Sequence, residues 1–412
     1  MIKRQEIYPQ IKFVTLLLLM ASLPFAIKVS NAFILVSVLI SSLPFFSDGN
    51  KRLTNKLTIL ILLFFLVEVL SLIYTRNENI KTGWSEIETH LPLLLVPFIF
   101  RDLEVLSGRS KYLKLAFVVG CLIGSTICLI ANIQLSLFEG KVFHEYYFSH
   151  DRLSEPIGLQ AVYFGLYLSV TILIIVSHLS ETFSRNSYLK NVGLCILLVY
   201  FLLMIVASGA RTAIVALMLI MVFNVIVYAL ITRKYKYLLI ASFIPIIFIA
   251  LVMFNPVVMT RFSDLRHSKA EGSNYDSYFA RTNIWKPGLD VILTNGWIGV
   301  GIGDQQEELN ASYMRHDYGT GVEFNFNMHN QYMQVMLGTG IVGLSIFLLI
   351  LGLQLFVAIK SHNFLYLSFI VLFSLTFLTE STLSRSKGII LFTLFSFFFY
   401  YSTVISSNQR SS

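Results

Sequence analysis

Long runs of apolar residues, separated by short polar segments, recur along most of the chain. Runs of about 17–25 residues are long enough to cross the hydrocarbon core of a bilayer. A segment in lipid must satisfy its own backbone hydrogen bonds, so these runs predict helices. Because the runs are continuously apolar, they do not fit the alternating strands of a membrane barrel. The predicted fold class is all-α, a polytopic membrane protein. Its twelve transmembrane helices are expected near residues 11–27, 31–46, 57–74, 88–100, 113–138, 159–179, 190–208, 211–231, 236–254, 331–359, 364–379 and 388–405.

One long polar segment divides these spans into two groups. Residues 1–254 are predicted to hold transmembrane helices 1–9, residues 255–328 a periplasmic loop, and residues 329–412 transmembrane helices 10–12 with a short cytoplasmic tail. Lysine and arginine concentrate in short cytoplasmic loops. Twelve spans and a cytoplasmic N-terminus satisfy that rule. Omitting the short span at 88–100, which contains two prolines, would place the TRKYK segment outside.

The N-terminus resembles a signal peptide, because Lys3 and Arg4 precede an apolar stretch. With so many later spans, we expect an uncleaved first helix instead. The three cysteines lie within apolar runs, so they predict neither a disulfide framework nor a metal site.

Composition narrows the classes of function. Hydrophobic residues make up 56% of the chain and charged residues only 13%. The net charge of +8 reflects lysine and arginine beside the membrane, and acids outnumber bases in the long loop, so no nucleic-acid partner is predicted. The sequence has no Walker loop, HExxH motif or D-x-D motif. We therefore expect no cofactor and no metal, and a substrate that supplies its own energy.

Two arginines at the predicted outer face are the first candidates. Arg211 lies in the SGARTA turn between the seventh and eighth spans, and Arg281 lies in FARTNIW within the long loop. Each alone is open to a plainer interpretation, as a side chain that reaches headgroups or solvent. Together they fit a diphosphate, which arginine binds through forked, charge-assisted hydrogen bonds. The helix start at Arg211 also favours an anion.

His329 lies where the long loop returns to the membrane, in NMHNQYMQVMLGTGIVG. Histidine at a helix start can be simply a boundary residue. Its unperturbed pKa of about 6.5 also makes it the natural proton acceptor at neutral pH. Gly338, Gly340 and Gly343 follow and would permit close helix contact.

Several further polar groups are candidates for substrate binding. Glu380 and Arg385 lie on the outer turn LTESTLSRSKG, and Arg152 lies between the fifth and sixth spans. Glu380 is expected to pair with an arginine, either in the site or as a plain interfacial ion pair. Trp285 in the long loop completes this set. Glu68, midway along the third span, should face the bundle interior, for function or for a structural hydrogen bond.

The long loop contains one predicted amphipathic helix. Ile284, Leu289 and Ile292 fall close to helical spacing, and Asn295–Gly296 supplies a stop. A helix too short to span, with tryptophan beside it, fits the membrane–water boundary. Pro287 is expected only in its first turn or at a kink.

These stretches together resemble the O-antigen ligase and O-antigen polymerase superfamily. The matching motifs are SGARTA, ARTNIWKPGLDVILTNGWIGVGIGD and MHNQYMQVMLGTGIVGL, and the first 150 residues match only in hydropathy. The resemblance implies a bacterial inner-membrane enzyme that moves a glycan from a polyprenyl diphosphate to an acceptor hydroxyl in the periplasm. It implies inversion without a metal, with Arg211 and Arg281 holding the diphosphate and His329 as the base.

The favoured hypothesis is an O-antigen ligase of lipopolysaccharide biosynthesis, with undecaprenyl-diphosphate-type donor, lipid A–core acceptor and membrane lipids as partners. A polymerase, which extends a growing glycan, is the alternative within the superfamily. A flippase for lipid-linked sugars is the alternative from another class, and it predicts polar or broken helices at mid-membrane. A non-enzymatic lipid-binding scaffold would tolerate loss of His329.

Overall fold

The computed structural model describes residues 2–43, 55–100, 108–138, 148, 150–182, 188–234, 237–253 and 277–411. Every regular element within these ranges is helical, which confirms the all-α prediction. The α-helices are α1 (Ile2–Ser22), α2 (Ile27–Ser42), α3 (Lys56–Ser71), α4 (Ile80–Ile99), α5 (Ser110–Phe138), α6 (His150–Ser154), α7 (Ala161–Thr182), α8 (Tyr188–Ser208), α9 (Arg211–Thr232), α10 (Tyr237–Met253), α11 (Ser277–Asn295), α12 (Gln305–Arg315), α13 (Gly319–Glu323), α14 (Gln331–Lys360), α15 (Phe364–Phe377) and α16 (Ser386–Ser411). Short 3₁₀ turns lie at Asn77–Asn79, Glu155–Ile157 and Thr382–Ser384.

The bundle is that of a multi-pass membrane protein. Among the described residues, six helices are long and apolar enough to cross a bilayer, namely α5, α7, α8, α9, α14 and α16. Shorter apolar stretches occur in α1, α2, α10 and α15. The twelve-span topology and the side on which the long loop lies stay predictions. Residues 255–276 of that loop lie outside the described residues.

Helix α16 runs through the centre of the bundle. From Ile389 to Tyr401 its residues are buried on all sides. Aromatic rings of α15 interlock with it, with centroids 5.3 Å apart for Phe373 and Phe392. Each such pair contributes about 0.5–1.5 kcal/mol beyond the area it buries. The turn that precedes α16 is therefore held on a rigid support.

Helix α4 is longer than the predicted fourth span at 88–100. It starts at Ile80 and continues through Pro92 and Pro97 without a break. Membrane helices tolerate proline where neighbouring helices and local adjustments satisfy the freed backbone groups. The extra turns bring polar residues of α4 to the end of the bundle where α7, α9 and α14 begin, which we call the site end.

Helix α11 confirms that a helix forms at this place in the long loop, with one correction. It ends at Asn295 as expected, and Ile284 and Ile292 are buried, but Leu289 is 45% exposed and faces outward. Pro287 lies in the helix interior, so of its two expected places the first turn is excluded. The Ser312 hydroxyl of α12 donates to the Pro287 carbonyl at 2.9 Å, which holds this turn from outside the helix.

Helix α14 is interrupted at Gly340, whose φ of 63° and ψ of −162° are not helical. In an unbroken helix the Ile341 amide would donate to the Leu337 carbonyl. Instead, Ile341 donates to the Gly296 carbonyl at 2.8 Å, and Leu337 accepts from the Val300 amide at 2.9 Å. The segment after α11 thus supplies the hydrogen bonds that the break removes. Close helix contact was expected of Gly340, but its close contact is with the Trp297 and Ile298 backbone of the loop.

We expect Gly340→Ala to destabilise the protein strongly. A Cβ there would lie 2.3 Å from the Trp297 carbonyl oxygen, in a backbone region that only glycine adopts readily. The backbone strain alone costs about 1–3 kcal/mol. Thermal unfolding of the detergent-solubilised protein measures the loss. Gly352→Ala, in open space on the same helix, is the matched control and should leave the melting temperature unchanged or slightly higher. Equal melting temperatures for the two variants would contradict the role assigned to the break.

Candidate functional site

The turn between α8 and α9 places Arg211 at the start of a helix. Helix α8 ends at Ser208, and Gly209 has a φ of 61°, in the left-handed region that glycine adopts without strain. The Ile214 amide donates to the Ala210 carbonyl at 3.0 Å and begins the α9 ladder. The tight turn predicted from SGARTA is therefore present.

Arg211 and Arg281 line one cavity of about 370 Å³, which we call the arginine cavity. Its walls come from the starts of α7 and α9, from α11, and from the end of α15. The Arg281 Nη2 atom lies 3.7 Å from Glu380 Oε1 and donates to the Thr379 carbonyl at 3.4 Å. The Thr212 and Thr379 hydroxyls lie 3.0 Å apart and tie α9 to the same turn.

His329 lies one residue before the N-cap of α14, with a φ of 42°. Its amide donates to the Asn327 side chain at 3.0 Å, and its ring stands edge-on to Phe326. The Nδ1 atom lies 3.3 Å from Glu380 Oε2. Since a carboxylate only accepts hydrogen bonds, this contact favours the proton on Nδ1. The neutral ring then keeps its lone pair on Nε2.

His329 and Arg385 line a second cavity of about 200 Å³, which we call the histidine cavity. Val162 and Glu380 line both cavities. The Glu380 carboxylate therefore stands at the junction, with one oxygen toward a guanidinium and the other toward an imidazole. The structure brings together all three residues that the sequence proposed for the reaction, around an acid that the sequence placed only among the binding candidates.

Hydrogen bonds join the turn after α15 to the start of α14. The Asn330 amide donates to the Ser381 hydroxyl at 3.2 Å, and its side chain donates to the Leu378 carbonyl at 3.1 Å. The Leu383 amide donates to the Gln331 side-chain oxygen at 2.7 Å. These bonds fix the backbone on both sides of the contact between His329 and Glu380.

A buried acid–histidine pair supports the same turn from inside the bundle. Glu68 faces the interior, as predicted, and its Oε2 lies 2.9 Å from His90 Nδ1. The other ring nitrogen of His90 lies 3.1 Å from the Leu383 carbonyl. A carbonyl only accepts, so this nitrogen carries a proton. His90 was not among the residues predicted from the sequence. The available signal was Glu86 and His90 four residues apart on one helix face.

The remaining candidates occupy different places. Trp285 donates through Nε1 to the Met328 carbonyl at 3.0 Å, so it holds the residue before His329 and is not among the residues that line either cavity. Arg152 pairs with Glu155 at 2.8 Å and lines a separate groove beside α5. The structure does not bring Arg152 to the two cavities.

An ion-pair cluster anchors the described part of the long loop to the turn before α4. Arg76 Nε lies 3.3 Å from Asp304 Oδ1, and the Arg76 amide donates to Asp304 Oδ2 at 3.0 Å. Burial alone would lower the pKa of Arg76, but the carboxylates of Asp304, Glu307 and Glu308 outweigh it and raise that pKa. The loop segment that enters the α14 break is therefore held at both of its ends.

Fold and site together define a polytopic membrane protein whose polar cavities open at one end of its bundle. Residues 196–348 match the family model described as O-antigen ligase, which supports the resemblance to the O-antigen ligase superfamily that the motifs carry. Members of this family are glycosyltransferase-like enzymes. The match includes Arg211, Arg281 and His329, whereas Glu380 lies beyond it. No curated protein matches the chain.

We expect Glu68→Ala and His90→Ala each to destabilise the protein, by about 3–5 kcal/mol, because each leaves a buried polar partner unpaired. The double variant should cost much less than the sum, since it leaves neither group alone. The free energies of unfolding of the wild-type protein, the two single variants and the double variant give the coupling energy between the two side chains. Strictly additive losses would show that the two side chains do not interact as described.

Proposed function

We propose that the protein is a glycosyltransferase that moves a glycan from a polyprenyl diphosphate to an acceptor hydroxyl. The observation that carries this proposal is the pair of adjoining cavities, with guanidinium groups in one, an imidazole in the other, and Glu380 between them. Such a pair suits a reaction in which a leaving group and an attacking group approach one carbon from opposite sides.

The arginine cavity suits the diphosphate of the donor. Arg211 and Arg281 offer forked donors, whose hydrogen bonds strengthen as negative charge develops on the departing oxygen. The same cavity is lined by Val215, Leu219 and Leu378, whose side chains are 40–48% exposed on the bundle surface. In a membrane bundle such exposed apolar groups face lipid. The prenyl chain therefore has a path from the bilayer to the diphosphate site.

The histidine cavity suits the acceptor. With Glu380 at Nδ1, the Nε2 atom of His329 accepts the proton of the acceptor hydroxyl. That hydroxyl oxygen forms a bond to the anomeric carbon, and the bond from this carbon to the diphosphate oxygen breaks, with inversion. The diphosphate departs with the electron pair, so the step requires neither ATP nor, in this proposal, a metal or cofactor.

We place the site at the periplasmic face of a bacterial inner membrane. Two observations support this location: the distribution of positive charge along the sequence, and the apolar surface at the end of α11. There, Leu293 and Trp297 are 80% and 82% exposed, as expected of groups inserted at a membrane boundary.

We favour a ligase that transfers O-antigen to lipid A–core over a polymerase. The two differ only in the acceptor. The test is a reconstituted assay with a defined polyprenyl-diphosphate glycan and each acceptor in turn. Transfer to lipid A–core supports the ligase, and extension of the lipid-linked glycan supports the polymerase. A flippase would move the donor across liposomes without forming a new glycosidic bond.

His329→Ala should reduce the transfer rate by about 10²–10⁴-fold, because no other group replaces the proton acceptor. The measurement is initial transfer rate in liposomes, with melting temperature and membrane insertion as checks of folding. His316→Ala is the matched control: His316 Nε2 lies 2.6 Å from Asp290 Oδ2, outside both cavities. It should retain the wild-type rate. Full activity of the His329→Ala protein would rule out the base assignment.

A further inference from the structure

The arginine cavity contains a third basic side chain that the proposed function does not use. His150, the first residue of α6, lines the cavity together with Arg211 and Arg281. Helix α6 packs against α5, α7 and α8, so neighbouring helices determine where it lies.

Asp151 orients the His150 ring. Its Oδ2 atom lies 3.1 Å from His150 Nδ1, and its Oδ1 atom accepts a hydrogen bond from the Ala161 amide at 2.5 Å, at the start of α7. One carboxylate therefore joins the imidazole to the wall of the cavity. Because Nδ1 faces the acid, Nε2 is the ring nitrogen that is left to donate to a ligand in the cavity.

The charge of the diphosphate changes during transfer. As a diester between glycan and prenyl chain, it carries two negative charges. When the bond to the sugar breaks, the released oxygen creates a third charge, on a phosphate whose last ionisation lies near pH 6. Because Glu380 lines the same cavity and lies beside Arg281, a proton donor for the released oxygen is needed most at this stage.

We propose that His150, oriented by Asp151, donates a proton to the diphosphate oxygen released from the sugar. The inference rests on the proposed function. The acceptor proton passes to His329, the bond from sugar to diphosphate breaks toward oxygen, and that oxygen takes the His150 proton. His150 is afterwards reprotonated and His329 deprotonated by water, so protons balance over one turnover. The released prenyl diphosphate is a monoester that contacts His150. Because of this contact, the site binds a prenyl diphosphate more tightly than a prenyl monophosphate.

The test combines a transfer assay with a binding assay that needs no transfer. Geranylgeranyl diphosphate and geranylgeranyl phosphate are the binding probes, and the intact protein in nanodiscs is titrated with each. His150→Asn should lower kcat by about a hundredfold with little change in KM. It should weaken geranylgeranyl diphosphate binding by about tenfold or more and leave geranylgeranyl phosphate binding unchanged.

His178→Asn is the matched control, because His178 lies near the opposite end of α7. It should behave as wild type in both assays. Asp151→Asn is the second variant: the amide oxygen still accepts from the Ala161 amide, but the charge beside His150 is lost, so kcat should fall by an intermediate factor.

The outcomes separate the two proposals. Wild-type kcat and wild-type selectivity for the diphosphate probe in the His150→Asn protein would overturn the inference. Suppose that His150→Asn removes the selectivity for the diphosphate probe, while the wild-type protein glycosylates neither acceptor. That result would overturn the proposed function and support the diphosphate site. Equal weakening of both probes would also overturn the inference, since it would show a general effect on the cavity.

Discussion

The contact of one carboxylate with two different bases organises the site. Glu380 lies 3.7 Å from the guanidinium of Arg281 and 3.3 Å from the imidazole of His329. The acid screens the two groups from each other, because each would otherwise meet a neighbouring positive charge whenever the imidazole is protonated. It also sets their separation. Hydrogen bonds of Asn330 and Gln331 keep the Glu380 turn and the His329 turn in register.

Three kinds of interaction maintain the alignment of these two turns. Aromatic packing around α16 fixes the helix below the turn, side-chain hydrogen bonds from Asn330 and Gln331 join the two backbone segments, and the Glu68–His90 pair holds the Leu383 carbonyl from inside. Aromatic packing has little directional preference, whereas hydrogen bonds require a defined geometry. The combination therefore supplies both stiffness and a unique alignment of Glu380 and His329.

The sequence predicted those features that depend on local pattern. Apolar periodicity gave the helices, and SGARTA located Arg211 because a turn of this length is encoded by its own residues. Pairings between distant helices were not predictable in this way. Nothing local shows that His90 meets Glu68, that Leu289 faces outward, or that Arg152 turns toward Glu155 and away from the cavities. Local pattern also did not show that Ser312 of another helix donates to the Pro287 carbonyl.

The interruption of α14 has a consequence for how the chain is assembled. The backbone carbonyl and amide of α14 at the break form hydrogen bonds with the segment between Gly296 and Gly301. This segment precedes α14 in the chain and lies outside the helix. Until that segment docks, unpaired backbone groups would stand within a stretch apolar enough to span lipid, which is costly. Insertion of α14 and ordering of the preceding loop are therefore one cooperative event, and His329 at their junction is positioned only when both are complete.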